Sequence, residues 1–156
     1  MNDRKKWDEI ADHVVYSGMI DEFFGYKLGM LEYRSLRFEN EVLNMANFQG
    51  NAVVNYTDAE TPYTRIIEHK HFAFGDQPKT VISYEFSKEW QCGDVPYYPV
   101  NDERNTLLYE RYRVMAEKLP NVTFGGRLGS YQYYNMDTTV EAALETARRI
   151  LCSNNS

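Results

Sequence analysis

The chain has 156 residues and a formal net charge of −6 at pH 7. This length corresponds to about one domain, large enough to bury roughly 70% of the surface that the unfolded chain exposes. The acidic balance argues against nucleic-acid binding, because contacts to phosphates need a basic surface.

The termini and the cysteines bear on the cellular compartment. The apolar runs are far too short to span a membrane, and residues 1–12 are charged and lack the apolar core of a signal peptide. Cys92 and Cys152 stand in unrelated contexts, which predicts neither a disulfide framework nor a cysteine metal site. A reducing, cytoplasmic compartment is therefore predicted.

The N-terminal elements are short. Residues 3–12 are predicted as a helix, and "HVVYSG" (13–18) as a strand that ends in a Ser-Gly turn. "MIDEFFGYKLG" (19–29) is predicted as a loop or a helical turn, because Gly25 and Gly29 interrupt it.

Between Leu31 and Trp90 the sequence alternates apolar and polar residues with a period of two. Four such runs, rich in β-branched and aromatic residues, cover residues 31–43, 50–58, 64–72 and 79–87. Short segments of turn-forming residues separate them. The pattern predicts an antiparallel meander.

The C-terminal third predicts loop, helix, strand and helix. "CGDVPYYPVND" (92–102) is predicted as a loop, and Asp102 or Asn101 as the cap of a helix from Glu103 to Leu119. The apolar stripe of that helix would comprise Leu107, Leu108, Tyr112, Met115 and Leu119. "PNVTFGG" (120–126) is predicted as a short buried strand, and a last helix follows Asp137. Its stripe would comprise Val140, Ala143, Leu144, Ala147 and Leu151.

The order of these elements predicts an α+β fold. An antiparallel sheet of about four to six strands in residues 31–100 is flanked by α/β elements in residues 1–30 and 101–152. One βα turn at each end cannot form a covered parallel sheet by itself. The two ends are therefore predicted to complete a larger domain.

Two arginines interrupt the apolar pattern of their strands. Arg34 alternates with Leu36 and Phe38, which places it on the predicted apolar face, where a charge needs a partner. It is either one half of a buried ion pair or an anion-binding residue. Arg65 shares the parity of Tyr63 and Ile67, and an arginine among aromatic residues suits a planar grip on phosphate.

Histidine and tyrosine are the other residues that could carry chemistry. His69 and His71 lie two apart on a predicted strand, but a metal needs three or four ligands, so hydrogen bonding is predicted instead. The 13 tyrosines are either half-buried residues of the core and edges or, where they cluster with arginine, the lining of a groove for a polar ring.

"TFGGR" (123–127) combines two glycines with an arginine before the last helix. The glycines allow a ligand to approach the backbone, and the N-terminus of the helix suits an anion or an electron-rich heterocycle. A plain turn between strand and helix is the alternative.

Four segments, taken in order, resemble the C-terminal half of the UDP-galactopyranose mutases over about residues 12–150. They are "VVYSGMIDEFFGYKLGMLEYRSLRFE", "GNAVVNYTDAETPYTRIIEHKHF", "GDVPYYPVND" and "GGRLGSYQYYNMD". The resemblance implies an isomerase that interconverts UDP-galactopyranose and UDP-galactofuranose for cell-wall polysaccharides. It implies reduced FAD, whose N5 attacks the anomeric carbon, displaces UDP and holds the opened sugar as an adduct.

The resemblance also implies roles for single residues. Arg65 would hold the diphosphate and stabilise UDP as it leaves, and Arg34 would lie close to the flavin and the sugar. Tyr98 and Tyr133 would hydrogen-bond the diphosphate, and Asn55 would contact the substrate. The residues implied at the cofactor are Ser17, Gly18, Gly126, Arg127, Tyr134, Asn135, Met136, Asp137 and Thr138.

The chain departs from the family pattern in several ways. Asn135 stands where the family usually has Asp, and Met19 where it commonly has Pro. No GxGxxG flavin fingerprint occurs, and the helical domain with a second diphosphate arginine is absent. The resemblance therefore implies a C-terminal fragment, inactive without an N-terminal flavin-domain partner, and leaves homo-oligomerisation open.

Two other functions are compatible with the same residues. One is an amine-oxidase-like flavoenzyme, since a "GGR" turn before a final helix suits either enzyme. The other is a non-catalytic module that binds nucleotide sugars.

Overall fold

The computed structural model describes Trp7 and residues 9–153. It contains two compact units. The first ends at Tyr33 and resumes at Pro96, and the second runs from Arg34 to Val95. Of the predicted N-terminal helix, Trp7, Glu9 and Ile10 are helical, and residues 3–6 and 8 lie outside the described residues. Within the described residues, no helix combines the length and the apolar character needed to cross a bilayer.

The first unit is built from short strands and helices. Its strands are β1 (Val14–Tyr16), β6 (Tyr98–Pro99) and β7 (Val122–Phe124). Its helices are α1 (Ile20–Phe23), α2 (Glu103–Ala116), α3 (Gly126–Gly129) and α4 (Met136–Ser153). β1 and β7 pair in parallel, and the Asp102 carboxylate caps α2 by accepting the Asn105 N–H at 2.7 Å.

Buried polar groups hold the first unit together. Asp21 is fully buried, and its carboxylate accepts the Leu31 N–H at 2.8 Å and the Tyr33 hydroxyl at 3.0 Å. Burial raises the pKa of Asp21, although these hydrogen bonds act in the opposite direction. The Tyr112 hydroxyl is likewise buried and donates to the Gly29 carbonyl at 2.6 Å. These tyrosines are core residues with a bonded polar tip, one of the two interpretations of their number.

The second unit is an antiparallel sheet. Its strands are β2 (Tyr33–Leu43, whose first residue belongs to the first unit), β3 (Val53–Asn55), β4 (Arg65–Glu68) and β5 (Thr80–Glu89). Their order is β3-β4-β5-β2. β6 is the fifth strand of this sheet, and beside it the Val100 N–H donates to the Glu32 carbonyl within the first unit at 3.0 Å. The predicted α+β class and the number of strands are confirmed.

The predicted meander is wrong in one respect. β3, β4 and β5 follow one another, but β2 pairs with β5 and not with β3. The reason is length, because β2 and β5 pair from Arg34↔Glu89 to Leu43↔Thr80, whereas β3 offers only Val53–Asn55. The longer ladder satisfies far more backbone hydrogen bonds.

Two predicted boundaries are corrected near the histidines and in the loop 92–102. The strand predicted over residues 64–72 ends at Glu68, and His69–Ala73 form a 3-10 helix, so the two histidines do not share a strand face. Both still take polar partners, since Nε2 of His69 lies 2.6 Å from Ser83 Oγ and Nε2 of His71 lies 3.0 Å from Glu68 Oε2. The predicted loop contains the strand β6.

The helices expose apolar side chains that the stripes were predicted to bury. In α2, which ends at Ala116 and not at Leu119, Leu107 is 62% exposed. The polar Asn105 of the same helix is buried instead, and its Oδ1 accepts the Glu32 N–H at 3.1 Å. Helix α4 begins at Met136 and so includes Asp137. Every member of its predicted stripe is exposed, namely Val140, Ala143, Leu144, Ala147 and Leu151.

The buried carboxylate of Glu68 predicts an acid-sensitive second unit. Burial opposes ionisation, but the N–H groups of Gln49 and Phe48, which donate to the carboxylate, together with His71 Nε2 at 3.0 Å, outweigh it and lower the pKa of Glu68 from 4.5 to about 2. Because the folded pKa lies below the unfolded one, ionised Glu68 stabilises the native state above about pH 4.5. This contribution is lost as the pH falls through about 2.

We therefore expect Glu68→Gln to lower the free energy of unfolding at pH 7 by about 1–3 kcal/mol, because backbone donors lose a charged acceptor. The variant should also lose less stability than the wild type between pH 4.5 and 2. Urea unfolding followed by Trp90 fluorescence, in a Trp7→Phe background, measures both. The exposed Glu60→Gln is the control. Equal acid sensitivity of Glu68→Gln and the wild type would contradict the assignment.

Candidate functional site

The second unit places three polar side chains side by side on one face of its sheet. In the antiparallel register Asn55 pairs with Arg65, and Arg65 pairs with Glu85. Nε of Arg65 donates to Asn55 Oδ1 at 2.8 Å, and one of its terminal nitrogens donates to Glu85 Oε2 at 3.3 Å. The Thr64 hydroxyl donates to the other carboxylate oxygen at 3.2 Å. These contacts fix the orientation of the guanidinium.

The arginine in this row keeps hydrogen-bonding capacity. A guanidinium has about five N–H donors, and the described contacts of Arg65 occupy two of them. The Arg65 side chain is 37% exposed, whereas that of Glu85 is 9% exposed. The carboxylate therefore lies behind the arginine as seen from solvent. A planar, oriented and partly exposed fork of donors suits a phosphate or a carboxylate.

Arg34 lies on the same face but outside this row. Phe38 pairs with Glu85, so Arg34 is four residues further along β2, about 13 Å by the rise of a strand. The prediction that Arg34 lies on a buried face is wrong, since Arg34 is exposed and its buried strand neighbours are Tyr33 and Ser35. At the start of β2, Tyr33 and Ser35 are the buried residues and Arg34 is exposed to solvent, so the arginine needs no buried partner.

The first unit brings Tyr98, Tyr133 and Arg127 together. The two tyrosine rings stack with centroids 5.1 Å apart and planes at 23°. The guanidinium carbon of Arg127 lies 4.6 Å from the Tyr98 centroid and 6.0 Å from that of Tyr133. Neither tyrosine hydroxyl has a hydrogen-bond partner among the described residues. Both hydroxyls can therefore donate to a ligand.

The glycines near β1 and β7 lie close to Ser17. Gly126 has a φ of 71°, and a Cβ added to it would lie 3.3 Å from Ser17 Cβ. A Cβ at Gly18 would lie 2.5 Å from the Tyr16 hydroxyl. The chain's own atoms therefore occupy much of the space that these glycines leave.

An apolar groove of about 980 Å³ lies beside these glycines. The residues at its β-strand end are Val15, Ser17, Phe124, Gly125 and Gly126. Helix α4, from Thr139 to Leu151, forms the rest of its lining together with Ser130 and Tyr134. The four residues between Tyr134 and Thr139 lie outside this lining. Among them, the Asn135 carbonyl accepts the Thr139 N–H at 2.9 Å, and Met136 is 88% exposed.

Glu85 and Thr64 belong to the arginine row, although the sequence pattern did not single them out. Glu85 interrupts "KTVISYEFS" as a charge within an apolar strand, which was the available signal. Its pairing with Arg65 depends on the β4–β5 register, which the pattern alone does not define. No group of three or more His, Cys, Asp or Glu residues that could hold a metal occurs in the part of the chain that is described.

Most of the chain is similar in sequence to proteins of known family. The family model described as UDP-galactopyranose mutase matches residues 1–133. A probable UDP-galactopyranose mutase of Klebsiella pneumoniae is 43% identical over 142 residues, which is 90% of this chain and 37% of the relative. A dTDP-fucopyranose mutase of Escherichia coli is 39% identical over 91% of this chain and 38% of its own length.

A UDP-galactopyranose mutase of Mycoplasma pneumoniae is 37% identical over 91% of this chain. The chain spans 37–38% of the length of these relatives. Arg34, Asn55, Arg65, Tyr98 and Tyr133 fall within the range that the family model matches, and residues 134–138 fall beyond it.

The arginine row predicts a slowly exchanging Arg65 Nε–H. Because Asn55 Oδ1 accepts this proton, Asn55→Ala should expose it and raise its exchange rate with water several-fold. Proton–nitrogen NMR of the arginine side chains measures this rate directly. Asn51→Ala, at an exposed position on the same segment, is the control and should leave it unchanged. An unaltered rate in Asn55→Ala would show that the contact is absent in solution.

Proposed function

Because this chain belongs to the UDP-galactopyranose mutase family, we propose that it forms the substrate-binding, C-terminal part of an enzyme that interconverts UDP-galactopyranose and UDP-galactofuranose in the cytoplasm. The observation that carries the proposal is the row Asn55–Arg65–Glu85, which presents an oriented and partly exposed guanidinium. The diphosphate of a nucleotide sugar matches this fork of donors in charge and in geometry.

Arg65 has two tasks in this proposal. It binds the diphosphate of the substrate through the donors that Asn55 and Glu85 leave open. When the bond between the sugar and UDP breaks, negative charge grows on the leaving phosphate, and an arginine already oriented there stabilises it without reorganising. Glu85 and Asn55 would act as positioning residues, because both hydrogen-bond the guanidinium, and Asn55 would also contact the substrate.

In the first unit, Tyr98 and Tyr133 would supply hydrogen bonds to diphosphate oxygens. Their hydroxyls have no partner among the described residues, and Tyr133 is 59% exposed. A tyrosine hydroxyl donates without adding charge, so the pair would orient the phosphates and leave charge neutralisation to arginine. Arg34, exposed on the face that carries Arg65, would act nearer to the sugar.

The family implies a flavin, and the chain fits only one side of such a group. The apolar groove beside Ser17, Gly125 and Gly126 suits one face of a flat ring system. The 156 residues contain no GxGxxG loop for the phosphates of the cofactor. When bound, reduced FAD would supply the nucleophile for the anomeric carbon, and the residues of this chain would bind and orient the nucleotide sugar.

A second polypeptide segment would complete the flavin site. The chain spans 37–38% of its relatives, and the apolar side chains Val15, Val140, Leu144 and Leu151 are each more than half exposed. Parallel strands such as β1 and β7 normally lie in sheets that are covered on both faces. We propose that a segment equivalent to the N-terminal part of the relatives covers these surfaces.

The relative named dTDP-fucopyranose mutase makes dTDP-fucose a second candidate substrate, since its identity of 39% is close to the 43% of the Klebsiella pneumoniae relative. The row around Arg65 and the tyrosine pair would contact only the diphosphate, which both nucleotide sugars share. The base and the sugar would be selected by other groups. Both substrates therefore belong in every assay.

Binding of UDP tests the site directly. Arg65→Lys keeps the charge but lacks the planar fork, so we expect it to bind UDP about tenfold to a hundredfold more weakly, as for the loss of hydrogen bonds to a charged group. Isothermal titration calorimetry of the whole chain measures this. Arg37→Lys is the matched control, because Arg37 pairs with Phe86 and so faces the opposite side of the sheet. Equal affinities of Arg65→Lys and the wild type would overturn the proposal.

Turnover tests whether the flavin site needs a second polypeptide segment. With dithionite-reduced FAD and UDP-galactofuranose, we expect the 156-residue chain alone to form no UDP-galactopyranose, because it covers one side of the cofactor. Activity should appear when the N-terminal part of a relative is co-expressed with it. Measurable turnover by the chain alone would refute the need for a second segment. Binding of UDP without turnover in the co-expressed pair would favour a non-catalytic nucleotide-sugar module.

A further inference from the structure

Arg127 holds two segments of the first unit together. One terminal nitrogen donates to the Tyr97 carbonyl at 3.2 Å, and the other donates to the Tyr134 carbonyl at 2.7 Å. Tyr97 directly precedes Tyr98, and Tyr134 directly follows Tyr133. The guanidinium therefore grips the backbone beside each member of the stacked tyrosine pair. These two segments are 36 residues apart in sequence, from 97 to 133. Within the described residues, no backbone hydrogen bond joins them.

The same guanidinium also contacts the rings. It lies over Tyr98 at 4.6 Å, and the Tyr98 ring stacks on that of Tyr133 at 5.1 Å. A planar cation can donate at its edge and stack with its face at the same time, which a lysine ammonium cannot do. Arg127 thus controls both the backbone positions and the ring positions of the pair.

The side chain is not arranged for stability alone. Nε of Arg127 is buried and has no hydrogen-bond partner in the described part of the chain, an arrangement that costs about 1–3 kcal/mol. No carboxylate among the described residues pairs with its charge. Sites that accept such a cost are commonly functional. The charge also lies 4.6 Å and 6.0 Å from the ring centroids of two tyrosines whose hydroxyls have no acceptor among the described residues.

We infer that Arg127 is the positioning residue of the nucleotide-sugar site, which sets the distance between the Tyr98 and Tyr133 hydroxyls so that both reach one diphosphate. This inference rests on the proposed function for the identity of the ligand. The arrangement of the tyrosines themselves does not depend on it. Two of the guanidinium N–H groups of Arg127 donate to the Tyr97 and Tyr134 carbonyls, while its Nε–H has no partner among the described residues.

The test uses the whole chain with ¹³C-labelled tyrosine. In the wild type, an NOE should join the Tyr98 and Tyr133 rings, and we expect Arg127→Met and Arg127→Lys to lose it. Affinity for UDP, measured by calorimetry, should fall about tenfold in both variants, since each loses the placement of two hydroxyl donors. Arg127→Lys separates position from charge, because it retains the charge alone.

Two internal controls distinguish a local effect from unfolding. Tyr109 and Tyr131 stack at 5.7 Å elsewhere in the first unit, and their NOE should persist in every variant. Arg111→Met removes an exposed arginine of α2 and should change neither readout. If Arg127→Met does not fold, Arg127→Lys decides the matter with the same two measurements.

The NOE and the affinity for UDP together decide whether Arg127 positions the tyrosines. Retention of the Tyr98–Tyr133 NOE in both variants would overturn the inference, and so would an unchanged affinity for UDP despite loss of the NOE. An NOE and affinity retained by Arg127→Lys but lost in Arg127→Met would assign Arg127 a purely electrostatic role and overturn positioning. If the wild type binds no UDP while both variants lose the NOE, the tyrosine positioning stands and the proposed function fails.

Discussion

The pairing of Arg65 with Glu85 across β4 and β5 is the contact on which the second unit's site depends. A strand that slips by one residue turns all its side chains to the opposite face. In the observed register Arg65 lies between Asn55 and Glu85, and its free donors are exposed. Slipped by one residue, β4 would turn Ile66 toward that face and leave the carboxylate of Glu85 buried without its cation. The cost of such a charge, several kcal/mol, helps to select the register.

Buried carboxylates also organise the loops around the strands. Glu68 accepts the N–H groups of Phe48 and Gln49, and Asp21 accepts the N–H of Leu31. In each case a fully buried acid satisfies backbone donors that no strand partner reaches. Hydrogen bonds outweigh burial at Glu68 and lower its pKa, whereas burial outweighs the hydrogen bonds at Asp21 and raises its pKa. Loops that lack regular pairing thereby keep one conformation.

The tyrosines fall into two physical groups. Tyr33, Tyr112 and Tyr131 are buried, and their hydroxyls bond to the protein. Tyr98 and Tyr133 stack on each other with hydroxyls that have no partner among the described residues. The first interpretation of the tyrosine content is therefore confirmed at the buried positions, and the second stays a prediction at Tyr98 and Tyr133. The difference lies in whether the hydroxyl meets a protein acceptor, which the residue type does not specify.

Much of the fold followed from local pattern. Alternation of apolar and polar residues predicted the strands around Arg34, Asn55, Arg65 and Tyr84, and Asp102 was a predicted helix cap. These features depend on neighbours in sequence. The quoted segments also identified the family, and the family model and relatives of 37–43% identity support it.

Tertiary contacts decided the rest. That β2 pairs with β5, that Glu85 holds Arg65, and that Arg127 grips the backbone beside two distant tyrosines depend on residues far apart in the chain. His69 and His71 lie in the 3-10 helix that replaces the end of the predicted strand, where His69 Nε2 lies 2.6 Å from Ser83 Oγ of β5 and His71 Nε2 lies 3.0 Å from Glu68 Oε2, three residues earlier. Sequence periodicity specifies which side of an element is apolar. Only packing determines which element covers that side, and in α4 the predicted stripe stays exposed within the described residues.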